Sequence, residues 1–241
     1  MTQRMKSQEI RQRAFEIKYL IPPAQAKDIR GWARVHLDAD PNADGAEGDA
    51  YRTSSIYFDT HRFDIFHRRG SFARVKYRVR RYGLCEAAFL ERKLKIRDTV
   101  SKRRSLVEIE DLRRLCAEEP LNGWEGFWFH RRLLARQLQP VCQISYLRTA
   151  RVRATSCGPI RLTLDQDIRT LRLDSLAFRP PDGGITLTEE YHILELKYHS
   201  QMPVMFKGLV EQFALNPKPY SKYRTAAVNL GYVSGPVAKN R

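Results

Sequence analysis

Along much of the chain, apolar and charged residues alternate position by position. In Ala73–Arg80, Arg74, Lys76, Arg78 and Arg80 fall on one face of an extended segment, and Val75, Tyr77 and Val79 fall on the other. The same period groups Glu91, Lys93 and Lys95 against Leu90 and Leu94, and Glu195 and Lys197 against Leu194 and Leu196. It sets Glu16 and Lys18 against an all-apolar face, and Arg161, Thr163 and Asp165 against two leucines. A period of two is the signature of strands. Strands are predicted over Ala14–Leu20, Tyr51–Asp59, Ser71–Tyr82, Cys85–Ile96, Ser101–Leu106, Val141–Arg153, Pro159–Ile168 and Glu190–Tyr198, with a weaker one near Thr170–Leu176. Helices are predicted over Pro22–Leu37, Val107–Glu118, Trp124–Gln139, Pro203–Leu215 and Lys222–Leu230. Pro22-Pro23 suits a first helical turn, where a missing N–H is harmless.

No repeat, low-complexity block or long linker divides the sequence. The reading is one domain over 14–232, preceded by a basic flexible stretch, 1–13, and followed by a flexible tail, 233–241. The Asp/Gly/Ala-rich segment Asp38–Asp49 and the turn Pro180–Gly184 are also read as disordered.

Charge changes the picture. Lys and Arg number 43 against 27 Asp and Glu, a net +16, so the expected partner is polyanionic. The polar faces of the strands are selectively Arg and Lys, with single carboxylates recurring in Glu-x-Lys pairs. A solvent-facing sheet explains one such strand; five fit better if the sheet curls closed, apolar faces outward under the helices and charged faces inward around a lumen. Two like charges at 4 Å repel by about 4 kcal/mol at an effective dielectric near 20, so such a lumen is expected to hold a multivalent anion.

Other classes find little support. No run of about 18 apolar residues is present, and Met1–Arg13 lacks the apolar stretch of a secretory signal, which leads to the expectation of a cytoplasmic protein. The four cysteines form no C-x-x-C pair, and the six histidines show no metal-binding spacing. Trp124, Phe127, Trp128 and Phe129 have helical spacing and read as core, as do Tyr57, Tyr77 and Tyr146. No helix-turn-helix, RNA-recognition or zinc-finger signature is present, so nucleic acid is not an expected partner.

The ordered set Phe15-Glu16-Ile17-Lys18-Tyr19, Ser55–Thr60, Lys76-Tyr77-Arg78-Val79-Arg80, Phe89-Leu90-Glu91-Arg92-Lys93 and Ser101–Arg104 resembles the catalytic domain of the vacuolar transporter chaperone (VTC) family. So do Ser145–Arg148, Arg161–Asp165, Ile193–Lys197 and Ser221-Lys222-Tyr223. That domain is the polyphosphate polymerase branch of the triphosphate tunnel metalloenzymes, relatives of the CYTH group of adenylate cyclases and thiamine triphosphatases. The resemblance implies an α+β fold: an antiparallel, eight-stranded closed β-tunnel with helices packed outside. It implies transfer of the γ-phosphoryl group of ATP to a growing polyphosphate chain with Mn²⁺ or Mg²⁺, and pyrophosphate or orthophosphate as further ligands. Carried over by position, Arg78, Arg80, Lys93, Arg148 and Arg161 are tunnel cations on the phosphates, and Lys18, Lys102, Ser221 and Lys222 complete the path. Lys76 and Lys197 are added as substrate-binding groups. Glu195 is the main metal ligand, with Glu16 and Glu91 as secondary acids. Asp165 is read as a partner that holds Arg161 straight, with a metal neighbour as the alternative. Arg92 stands where the family has an aliphatic residue.

This chemistry suits these residues. Phosphoryl transfer rests on positioning and electrostatics, which arginine forks, lysine point charges and a carboxylate-held divalent ion supply. A terminal phosphate is already an anionic nucleophile, so no Ser-His-Asp or Cys-His set is needed. Two alternatives share the tunnel: a metal-dependent triphosphatase, against which stands the Ala at position 14 where the CYTH group carries a further Glu, and a non-catalytic polyphosphate-binding module.

Overall fold

Alternation does become strand. The computed structural model describes residues 8–13, 15–41, 43, 49–96 and 99–234. Its strands are β1 (Gln8–Arg13), β2 (Phe15–Ile21), β3 (Asp38–Ala39), β4 (Ala50–Asp59), β5 (Val75–Tyr82), β6 (Ala87–Ile96), β7 (Thr99–Glu108), β8 (Gln139–Arg153), β9 (Ile160–Arg172), β10 (Ile185–Thr186) and β11 (His192–Tyr198). Its helices are α1 (Pro23–His36), α2 (Asp64–His67), α3 (Phe127–Ala135), α4 (Val204–Gln212) and α5 (Lys222–Asn229).

The strands form one antiparallel sheet in the order β1-β7-β6-β5-β4-β8-β9-β11-β2, with β10 on β9 and β3 on β8. Its two end strands, β1 and β2, are separated in the chain by a single residue. Counted as one rung, they make eight strand positions around the ring, the number expected. Among the described residues no hydrogen-bonded ladder joins β1 to β2; the chain itself links the two ends.

The apolar faces lie outside the ring, under the helices. Tyr19, Ile21, Leu162, Leu164, Leu194 and Leu196 pack against Ala26, Ile29 and Ala33 of α1 and Phe206 and Leu209 of α4. On the opposite side Ile56, Phe58, Val75, Tyr77, Val79 and Leu90 pack with Trp128, Phe129 and Leu133 of α3 and with Tyr223, Ala226 and Ala227 of α5. Both clusters are apolar burial of the ordinary kind, at roughly 25 cal/mol per Å². The expected division into an apolar outside and a charged inside is therefore present.

Several expected elements differ. The region read as helix Val107–Glu118 continues as strand to Glu108 and then turns as a 3₁₀ segment, Glu110–Cys116. Predicted strands at Pro159–Ile168 and Thr170–Leu176 are one strand, β9, kinked at Asp167 (φ 48°). The stretch 8–13, read as flexible, is strand β1, paired with β7 from Gln8↔Arg104 to Arg13↔Thr99. Residues 1–7 and 235–241, also read as flexible, lie outside the described residues, as does position 14. In Asp38–Asp49, read as disordered, β3 forms and both Asp40 and Asp49 are buried. Asp49 is fixed by Arg34 and Arg151; such pairing is invisible to composition.

One corner holds a helix to the tunnel. Asp59, at the end of β4 and fully buried, accepts the backbone N–H groups of Thr60, Ile65 and Phe66 and the hydroxyl of Tyr223 (2.6 Å). It thereby caps α2 and anchors α5. Asp59→Ala strands these buried donors and is expected to cost about 3 kcal/mol or more in urea unfolding, with Tyr223→Phe costing less than half of that; an Asp59→Ala protein as stable as wild type would contradict this reading.

Candidate functional site

Because side chains alternate along each strand, β2, β4, β5, β6, β7, β8, β9 and β11 each turn one set of polar residues to the interior. Lys76 pairs in register with Lys93, and Lys93 with Lys102, so three lysines lie abreast on β5, β6 and β7. Like charges directly opposite one another are destabilising. No folding requirement calls for this rung.

Carboxylates hold part of the excess. Glu91, 1% exposed, takes Arg78 (Nε 2.7 Å) and Lys102 (2.6 Å). Glu16 takes Lys93 (2.7 and 2.9 Å) and Lys197 (3.2 Å). Glu195 takes Lys197 (3.0 Å) and Lys18 (3.4 Å). Asp165 receives both arms of Arg148 (2.6 and 2.8 Å) and Lys222 (2.5 Å). Arg161 rests on Asp40 (2.7 Å) and the Tyr51 hydroxyl (3.0 Å). Arg80 donates to the hydroxyls of Ser55 (3.1 Å) and Tyr146 (3.2 Å) and lies over the Tyr82 ring (6.0 Å to its centroid). Lys76 reaches the Ser221 hydroxyl (3.3 Å), which also caps α5.

All the sequence-predicted site residues thus line or border one interior. Lys18, Lys76, Arg78, Arg80, Lys93, Lys102, Arg148, Arg161, Lys197, Ser221 and Lys222 converge there with Glu16, Glu91 and Glu195. The space has two chambers. One, about 410 Å³, is lined by Arg78, Arg80, Lys102, Arg148, Arg161 and Lys197. The other, about 520 Å³, is lined by Lys18, Lys76 and Ser221, with Arg68, Arg74, Lys95, Tyr220 and Arg224 beyond the predicted set. Both are lined by Glu16 and Lys93, so that ion pair stands where they meet.

Three readings change. Asp165 does not hold Arg161; it holds Arg148 and Lys222, and Arg161 is held by Asp40 from a segment that looked disordered. Tyr57 and Tyr146 are more than packing: their hydroxyls contact Arg78 (3.3 Å) and Arg80. The available signal was register, since Tyr57 lies directly opposite Arg78. Tyr77 is core, as expected.

The crowding shows in protonation. Burial pushes the Tyr57 phenol up, but Arg78, Arg80 and Lys76 outweigh it and bring it down to about 7. Burial, with neighbouring cations, lowers Lys76 to about 8 and Lys102 to about 8, although Glu91 partly restores Lys102. Burial raises Glu16, but Lys197 and Lys93 override it and hold it at about 2.

Among the described residues no three His, Cys, Asp or Glu side chains converge as a ready-made metal cage. Glu16 and Glu195 are joined through Lys197, whereas Glu91 is enclosed by Arg78 and Lys102 and is not part of that pair. Two carboxylates fit a hard divalent ion that keeps its remaining ligands as water and phosphate oxygens.

The chain belongs to the VTC domain family, whose model matches residues 13–230. Among solved structures, a putative adenylate cyclase from Bacillus halodurans superimposes with a TM-score of 0.55 at 15% identity, covering 88% of this chain and 95% of that one. A putative adenylyl cyclase from Hippeastrum, described as having a dominant triphosphatase activity, gives 0.48 at 16% identity, covering 90% and 95%. The PH1819 protein of Pyrococcus horikoshii gives 0.47 at 11%, covering 91% and 99%. No curated protein matches. Among the described residues no helix is long and apolar enough to cross a membrane.

Lys76 and Lys102 have lowered pKa values, so their charges oppose folding below about pH 8, and that opposition fades as pH rises toward the ordinary lysine value. A polyanion relieves it only while they are charged. Stabilisation by metal-free tripolyphosphate, read as a rise in melting temperature, is therefore expected to be greater at pH 7 than at pH 9; an equal or greater rise at pH 9 would contradict this assignment.

Proposed function

We propose that this protein is a polyphosphate polymerase, which transfers the γ-phosphoryl group of ATP to the end of a polyphosphate chain and releases ADP. The observation that carries the reading is the charged interior itself: cations from β2, β5, β6, β7, β8, β9, β11 and α5 outnumber the carboxylates among them, in two chambers that share the Glu16–Lys93 pair. Two joined chambers suit two phosphate chains laid end to end, donor and acceptor. Membership of the VTC domain family supports the same choice.

The residues divide the work by their chemistry. Arg78 and Arg148 are pre-aimed by Glu91 and Asp165, so their forks are ordered before substrate arrives. Arg80, held by the neutral hydroxyls of Ser55 and Tyr146, offers its charge to a phosphoryl oxygen. Lys18, Lys93 and Lys197 occupy Glu16 and Glu195 in the free protein and turn to phosphate when it enters. A divalent ion bound by Glu195 and Glu16 would polarise phosphate oxygens and neutralise their charge. Charge accumulating on the transferring group meets fixed cations in place of water, where preorganised electrostatics act most strongly.

Purified protein with ATP and Mn²⁺ is expected to yield ADP and a long anionic polymer in step. ADP with orthophosphate and no polymer would assign the triphosphatase activity instead. Arg78→Lys keeps a charge beside Glu91 but loses the fork, and is expected to lower turnover about 100-fold with the melting temperature nearly kept. Turnover within a few-fold of wild type would remove Arg78 from the transfer site.

A further inference from the structure

Thr163 lies on β9, in register with Glu195 of β11, and shares the tunnel face with Arg161 and Asp165. It is 1% exposed, and its hydroxyl finds no partner among the described residues; nor does Nε of Arg161, two residues away on the same face. The acceptors around them are taken. Both Glu195 oxygens are paired with lysines, and both Asp165 oxygens with Arg148 and Lys222. Nε of Arg161 can only donate and the Thr163 hydroxyl can donate as well as accept, so one acceptor placed between them would satisfy both. A buried hydroxyl with no partner works against folding, and a site that keeps one is set to meet a ligand.

We infer that Thr163 is a phosphate-binding residue: its hydroxyl donates to a phosphoryl oxygen in the Glu195 layer, beside Nε of Arg161. The inference rests on the polyanion-tunnel reading. The ligand reaches this layer as it draws Lys18 and Lys197 off Glu195, exchanging carboxylate partners for phosphate ones. Nε of Arg161, a pure donor on a charged group, favours an anion over a cation here.

Thr163→Val tests this with two readouts, because it removes the hydroxyl and nearly keeps the shape. Without ligand, the variant is expected to melt at or above the wild-type temperature, since it loses only an unpartnered polar group. Binding of metal-free tripolyphosphate, by calorimetry, is expected to weaken roughly tenfold or more, the loss of one hydrogen bond to a charged group. Thr163→Ser is expected to bind as wild type does. A Thr163→Val protein that melts lower or does not fold would show that the hydroxyl serves the fold, and would overturn the inference. Unchanged tripolyphosphate affinity in Thr163→Val would also overturn it, leaving the tunnel reading intact. A wild-type protein that binds no tripolyphosphate would remove the tunnel reading and the inference together.

Discussion

Repulsion among cations that the fold forces together is the constraint on which this structure turns. Lys76, Lys93 and Lys102 lie abreast, with Arg78 and Arg80 further along β5 and Arg148 and Arg161 on β8 and β9, and Glu16, Glu91, Asp165 and Glu195 neutralise only part of the charge. Burial raises the stakes, because charges removed from water interact more strongly and an uncompensated one is costly. The depressed lysines are the measure of that tension. The outer shell opposes it: two apolar clusters, one under α1 and α4 and one under α2, α3 and α5, supply the burial that keeps the ring assembled.

The same tension orders the site. Each carboxylate is placed so that it aims a guanidinium or parks a lysine. Bidentate pairing fixes the planar fork of Arg148 on Asp165, whereas the lysines on Glu16 and Glu195 are point charges on flexible stems that a phosphate can take over. Rigid forks and movable point charges are therefore separated by position, a division suited to gripping a phosphate chain while letting it advance. The end of β4 ties this interior to the shell. Asp59 holds Tyr223, and the Tyr223 ring stacks on Tyr57 (5.5 Å between centroids), whose hydroxyl meets Arg78.

The inward set was legible in the sequence because strand alternation alone decides which residues share a face. Arg78 and Arg80, or Glu195 and Lys197, cannot be two apart on a strand and face differently. Partnerships across the ring were not legible. Asp40 reaches Arg161 from a loop whose Asp, Gly and Ala content reads as disorder, and Asp165 chose Arg148 over its own strand neighbour. Those choices depend on how strands β8 and β9 register, which no local pattern records. Tyrosine posed the same difficulty. The rings of Tyr57 and Tyr146 do pack, while their hydroxyls serve arginines, and composition reports only the first of these roles. The strand β1 was hidden because its pairing with β7, not its own alternation, makes it a strand.

The most direct examination of the central claim is a crystal structure of the protein grown with tripolyphosphate. The account predicts the anion inside the ring, its oxygens on Arg78, Lys93 and Arg148, with Lys197 moved from Glu195 toward phosphate. Tripolyphosphate on the outer surface, with the interior ion pairs unchanged, would contradict it.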